Sequence, residues 1–218
     1  MSPTLENPFT PKSAIPTKRL FGGGDENKRR LSQKAKERIE SVIKVKYGDL
    51  EILKPQAKFL YEMEKELMEE AKKKGKKLSK EEVKKNLTQR IEVDESGNIK
   101  KIYLERMELD NLPHLDALMN LELLYCQRNN LTGLPSLNKL KHLKMLDCTL
   151  NKLTSLPSLD KLTSLEKLLC SDNELSSLPN LNKLMNLQKM YSDNNKFSEQ
   201  EKAKIRSQVP KNCEVEIW

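Results

Sequence analysis

The sequence predicts an α/β solenoid, with a curved parallel β-sheet of about five strands preceded by a helical segment and closed by a helix–strand cap. Three observations carry that prediction. A leucine pattern recurs every 22 residues, without a slip, across the second half of the chain. Within each recurrence, apolar and variable positions alternate as they do along a half-buried strand. The composition agrees: 36% hydrophobic residues against 33% charged, with one Trp and four Phe in 218 residues, so the core rests on leucine. A leucine core suits stacked units that each bury little alone.

Residues 1–31 hold four prolines, a Gly22-Gly23-Gly24 run and few apolar side chains. Such a stretch buries too little surface to offset the entropy of ordering its backbone, and a flexible arm is expected. The glycine run lacks the following Lys-Ser/Thr of a phosphate-binding loop and reads as a linker. Short matches sit in the arm: Lys18–Phe21 resembles a cyclin-docking motif, Thr10-Pro11 a proline-directed phosphorylation site, and Arg29-Arg30-Leu31-Ser32 a basic-directed kinase site. The net charge of +8 is concentrated at this end, since residues 1–90 carry 23 Lys and Arg against 14 Asp and Glu, and residues 91–218 carry 17 against 18. That asymmetry would attract nucleic acid, an acidic protein surface or anionic lipid.

From Ser32 the spacing turns helical, with Ala35, Ile39, Val42 and Ile43 on one stripe. The stretch Tyr47–Pro55 is expected to be a break between helices. A second helix then places Phe59, Leu60, Met63, Leu67 and Ala71 on one face and ends in lysines and Gly75, as a helix C-terminus favours. Ser79 with Glu82 has the spacing of a capping box, which opens a third helix through Val83 and Leu87. Residues 32–89 are thus expected to be a helical segment capping the solenoid.

From Arg90 the pattern becomes strand, tight turn and strand: Ile91 and Val93, then Ser96-Gly97-Asn98, then Ile99. Units of 22 residues begin at Ile99, Leu121, Leu143 and Leu165, and a partial fifth begins at Leu187. Positions four and six are apolar. Position nine carries Asn129, Asn151, Asn173 and Asn195, expected to bind the backbone of neighbouring turns, because an Asn side chain offers both donor and acceptor. Met107 replaces it in the first unit. Leu-Pro pairs at 112–113, 134–135, 156–157 and 178–179 are expected to mark where ladder pairing stops, since proline has no amide donor.

These units resemble the leucine-rich repeat family, matching its LxxLxLxxNxL signature with the short period of its bacterial members. The resemblance implies a curved solenoid over residues 90–218, with residues 198–218 as a C-terminal cap, and a role in protein recognition.

Cys126, Cys148 and Cys170 share position six and are expected in a dry column as small hydrophobes. Neither metal nor cofactor is expected: His114 and His142 fall on the return side of their units, away from the thiols. No nucleophile or acid–base pair stands out, so a non-enzymatic chain is expected. With no apolar run long enough to span a membrane and no signal-like N-terminus, the expected location is cytoplasmic.

The functional signal lies on the outward strand positions. Position five reads Tyr103, Tyr125, Asp147, Leu169 and Tyr191; position three adds Leu123, Met145, Lys167 and Lys189; position eight adds Arg128. Exposed tyrosine, leucine and methionine edged by cations is the composition of a protein-binding strip, expected on the concave face. An adaptor or scaffold for an unidentified protein partner is the expected function. A nucleic-acid-associated factor, anchored by the basic arm and helices, is the alternative.

Overall fold

The computed structural model describes Gln33 and residues 44–218. The arm, its short motifs and the helical stripe Ala35 to Ile43 lie outside the described residues; Gln33 itself is helical and exposed. Residues 44–218 fall in one compact unit.

That unit begins with a β-hairpin, β1 (Lys44–Tyr47) and β2 (Leu50–Leu53), paired antiparallel with Tyr47 opposite Leu50. The expectation of a plain break at Tyr47–Pro55 is therefore corrected. Gly48 takes φ +60° in the two-residue turn, a conformation L side chains adopt at a cost. Tyr47 and Ile52 point into the core while Lys44, Lys46 and Glu51 face solvent, which is the period-2 signature of a strand.

Helix α1 (Lys54–Lys73) follows at once, with proline in its first turn where a missing N–H costs nothing. It buries Phe59, Leu60, Met63, Leu67 and Ala71. Its end is a Schellman motif: Gly75 at φ +67°, Lys76 N–H donating to Ala71 O at 2.8 Å, and Gly75 N–H to Lys72 O at 3.1 Å. Helix α2 (Lys80–Thr88) opens on the expected capping box, with Glu82 N–H donating to Ser79 Oγ at 3.2 Å and Ser79 N–H to Glu82 Oε2 at 2.8 Å.

The main sheet has seven strands in sequence order. β3 (Ile91–Val93) pairs antiparallel with β4 (Ile99–Tyr103), and the turn between them is held by Asp94, whose Oδ1 accepts from the amides of Ser96 and Asn98. The four later repeat strands are β5 (Leu123–Tyr125), β6 (Met145–Asp147), β7 (Lys167–Leu169) and β8 (Lys189–Tyr191), all parallel and in register at a 22-residue offset. Helix α3 (Glu199–Gln208) and strand β9 (Glu214–Glu216), parallel to β8, form the closing cap.

One hydrophobic core runs from Tyr47 through the helices and the stacked leucines to Ile217. The helical segment joins the first repeat through polar contacts as well. Leu53 N–H donates to Gly97 O at 3.0 Å, Gln56 Oε1 accepts the Ile99 amide, and Arg90 Nη1 reaches Tyr103 O at 3.2 Å.

The strands stop well before the Leu-Pro pairs. Position eight is what turns the chain: Arg106, Arg128, Leu150, Asp172 and Asn194 all adopt φ between +52° and +58°. Just beyond, each asparagine of position nine binds two consecutive units. The Asn151 amide donates to Cys126 O and Cys148 O at 3.0 Å each, while its Oδ1 accepts the Leu131 amide at 3.0 Å. Asn129, Asn173 and Asn195 repeat the arrangement. Met107, at this position in the first unit, packs half-buried against the core and donates its own amide to Asn129 Oδ1 at 3.0 Å.

Asn151→Ala removes three hydrogen bonds from a buried turn: it leaves the Leu131 amide without a partner and takes one of two asparagine donors from each of Cys126 O and Cys148 O. At about 1 kcal/mol per lost bond, its free energy of unfolding in urea should fall by about 3 kcal/mol, with faster amide exchange at Leu131. Leu150 is a branched side chain at φ +55° and is 39% exposed. Leu150→Asn should raise stability by about 1 kcal/mol, because Asn tolerates the left-handed region and little packing is lost.

Candidate functional site

Each repeat strand alternates half-buried, buried, half-buried, so positions three and five face away from the core while position four points into it. Register lines these positions into two rows across the open face of the sheet. One row runs Lys101, Leu123, Met145, Lys167, Lys189; the other runs Tyr103, Tyr125, Asp147, Leu169, Tyr191. All ten are half-buried. Arg128 is exposed beyond the strand end, in the left-handed turn.

The two ends of these rows are engaged within the chain, each by a glutamate of the flanking strand. Glu92 of β3 pairs with Lys101 at 2.7 Å and accepts the Tyr103 hydroxyl at 2.8 Å. At the far end Glu214 of β9 pairs with Lys189 at 2.8 Å and accepts the Tyr191 hydroxyl. Lys101, then Tyr103, hold the Glu92 carboxyl below its ordinary range, and Lys189 with Tyr191 does the same for Glu214. Tyr103 also stacks on Tyr125, with ring centroids 5.2 Å apart and planes 9° from parallel. The middle of the face, β5 to β7, has no such clamp. There Leu123, Tyr125, Met145 and Leu169 present apolar surface, Asp147 accepts the Thr149 amide at 3.1 Å, and Lys167 has no ion-pair partner among the described residues.

Position two carries a charge ladder at the strand entrances: Glu122 sits between Lys100 and Lys144, the latter at 2.7 Å. The two ammonium groups pull the Glu122 carboxyl down to about 2.

Position seven was not singled out by the sequence. Here Glu105 Oε2 and Gln127 Oε1 are buried without a hydrogen-bond partner, which only the fold could reveal. The column of Cys126, Cys148 and Cys170 is fully buried on the core side, and burial raises all three thiols, Cys170 to about 12. Thiols so protonated are poor nucleophiles. His114 and His142 are exposed on the return side. Among the described residues no helix is long and apolar enough to cross a membrane.

Residues 120–161 match the family model of leucine rich repeats, in two copies. Solved structures similar to the chain include a leucine-rich repeat protein of Leptospira interrogans, 28% identical over 50% of this chain and 34% of that one, with a TM-score of 0.41. YopM from Yersinia enterocolitica is 27% identical over 63% of this chain and 29% of its own, with a TM-score of 0.46. The functional domain of InlJ from Listeria monocytogenes, described as including a cysteine ladder, is 32% identical over 39% of this chain and 18% of that one, with a TM-score of 0.36. The chain thus spans about a third or less of the length of these three proteins. No curated protein matches it.

The Glu122 ladder yields a pH signature. A carboxyl held lower in the folded chain than in the unfolded one adds stability above the unfolded value, about 4.3, and that stability is lost as pH falls toward 2. Glu122→Gln should therefore lower the urea midpoint at pH 7 and narrow its gap from wild type as pH drops from about 4.5 to about 2.

Proposed function

From its likeness to the leucine-rich repeat family, whose model matches residues 120–161, we propose that this chain is a protein-interaction module, an adaptor or scaffold, whose partner docks on the open face of the sheet. Modules of this family are typically non-enzymatic, and this reading assigns the chain no catalytic step.

The observation that carries the reading is the unclamped window of β5 to β7. Polar side chains at both ends of the face are consumed by Glu92 and Glu214, whereas Leu123, Tyr125, Met145 and Leu169 are left half-buried with no element of the described chain over them. Completing the burial of each by a partner would contribute about 1–2 kcal/mol. Lys167 within the window and Arg128 at its edge would select an acidic group on the partner. Tyr103, Lys189 and Tyr191 act in this reading as a pre-ordered rim, since their rotamers are already held by the chain's own carboxylates. Residues 44–89 extend the core at one end of the leucine stack and the segment 198–218 closes the other, leaving the face between them as the functional surface.

Nothing in the family match favours the nucleic-acid alternative, and the arm it would use lies outside the described residues.

The test is affinity capture from lysate with the full chain as bait. Tyr125→Ala combined with Leu169→Asp should abolish capture of the proteins that wild type retains, while its urea midpoint stays close to wild type. Met185→Asp, on the exposed return side, should retain them. Equal capture by all three baits would overturn the open-face reading.

A further inference from the structure

A second surface lies on the helical segment, away from the sheet. Tyr61 and Met68 are seven residues apart on α1, two turns along the same side, and this side is not the one that carries Phe59, Leu60, Met63 and Leu67 into the core. Together with Leu78, in the α1–α2 connection, they are 45%, 37% and 44% exposed. They line a groove of about 720 Å³. Three solitary exposed hydrophobics would mean little, but these share one concavity.

The rim of that groove is cationic. Lys72, Lys77 and Lys80 line it and have no ion-pair partner among the described residues. Two further lysines are already matched, Lys65 to Glu69 at 3.9 Å and Lys76 to Glu108 at 3.3 Å. Beneath, Glu64 is 3% exposed and its carboxylate lies beside the buried Tyr47 hydroxyl, so the floor of the groove offers a ligand apolar contact and no free acceptor.

We propose that this groove binds an acidic amphipathic helix of a partner protein, its apolar side on Tyr61, Met68 and Leu78 and its carboxylates on Lys72, Lys77 and Lys80. Tyr61 and Met68 stand about 10 Å apart along α1, the distance at which i and i+7 anchors of a docked helix repeat. Charge argues against a second copy, and the apolar floor against a nucleic acid. A second copy of the chain would bring the same lysine rim against this one, and the chain as a whole carries +8. A nucleic acid would satisfy the lysines and leave the apolar floor unused.

The probe is a fluorescein-labelled synthetic peptide of about five helical turns, with leucines at i, i+4 and i+7 and glutamates flanking them, titrated by anisotropy against the full chain. Wild type should bind it, and a scrambled peptide of the same composition should bind at least tenfold more weakly, roughly the loss of one anchor. Met68→Glu should weaken binding by about tenfold or more, and so should Lys77→Glu with Lys80→Glu, whose exposed positions leave folding intact. Tyr125→Ala should bind as wild type does, which separates this surface from the open face. The proposal is overturned by absence of binding at low salt, by equal affinity for the scrambled peptide, or by indifference to both groove variants. It is also overturned if an oligouridylate of matched charge displaces the peptide with unchanged affinity for Met68→Glu. Sedimentation showing a dimer that Met68→Glu dissolves would assign the groove to self-association instead.

Discussion

The structure depends on one recurring interaction, the asparagine side chain that closes each turn against its neighbour. A strand of three residues leaves most of a 22-residue unit without ladder partners, and the backbone where the strand ends turns inward. Each unpaired buried amide or carbonyl there would cost about 1–3 kcal/mol, repeated in every unit. Asn129, Asn151, Asn173 and Asn195 answer that cost in kind, each donating to carbonyls of two units and accepting an amide of the unit before. The leucine stack is possible because those turns are satisfied. The left-handed residue at position eight is the strain accepted to aim the asparagine inward, and it recurs in all five units whatever side chain stands there.

A stack satisfied by its neighbours has two ends without one. Both are closed by local devices that also shape the outer surface. At one end the hairpin β3–β4 and the helices extend the core, and Gln56, Leu53 and Arg90 take up the backbone groups that a preceding repeat would have bonded. At the other, β9 continues the ladder and α3 covers the leucines, with Glu201 and Gln208 accepting the amides of Leu178 and Leu181. Each closing strand also places a glutamate opposite a lysine and a tyrosine of the open face. The same elements that seal the core thus occupy the rims of that face and leave its apolar centre unclamped.

Much of this was legible in the residues. The 22-residue period implies stacking, the alternation around Leu124, Leu146 and Leu168 implies the strand, and Ser79 with Glu82 marks a helix start. What escaped were features that depend on a second segment. The β1–β2 hairpin is written in the alternation of Val45 and Tyr47 with lysines and in the Gly48-Asp49 turn, but two four-residue strands flanked by helical patterns are stable only against α1 and the Asp94–Asn98 turn. Likewise the Leu-Pro pairs look like strand ends, yet the chain has already turned at position eight, for a reason that resides in φ and not in side-chain chemistry.

The sequence by itself determined the repeat register, because a strict period leaves one way to superpose leucines and asparagines from unit to unit, and every side chain on the open face follows from that register. It also determined which residues are core, since burial tracks the period. Only the tertiary structure decided which outward residues remain available. Tyr103 and Tyr125 read alike in their units, but Glu92 comes within reach of Tyr103 alone, and Glu214 claims Tyr191 from 23 residues away. Periodicity describes what a unit does to the next unit; it is silent about the ends, where non-repeating segments meet the stack and choose by distance and charge.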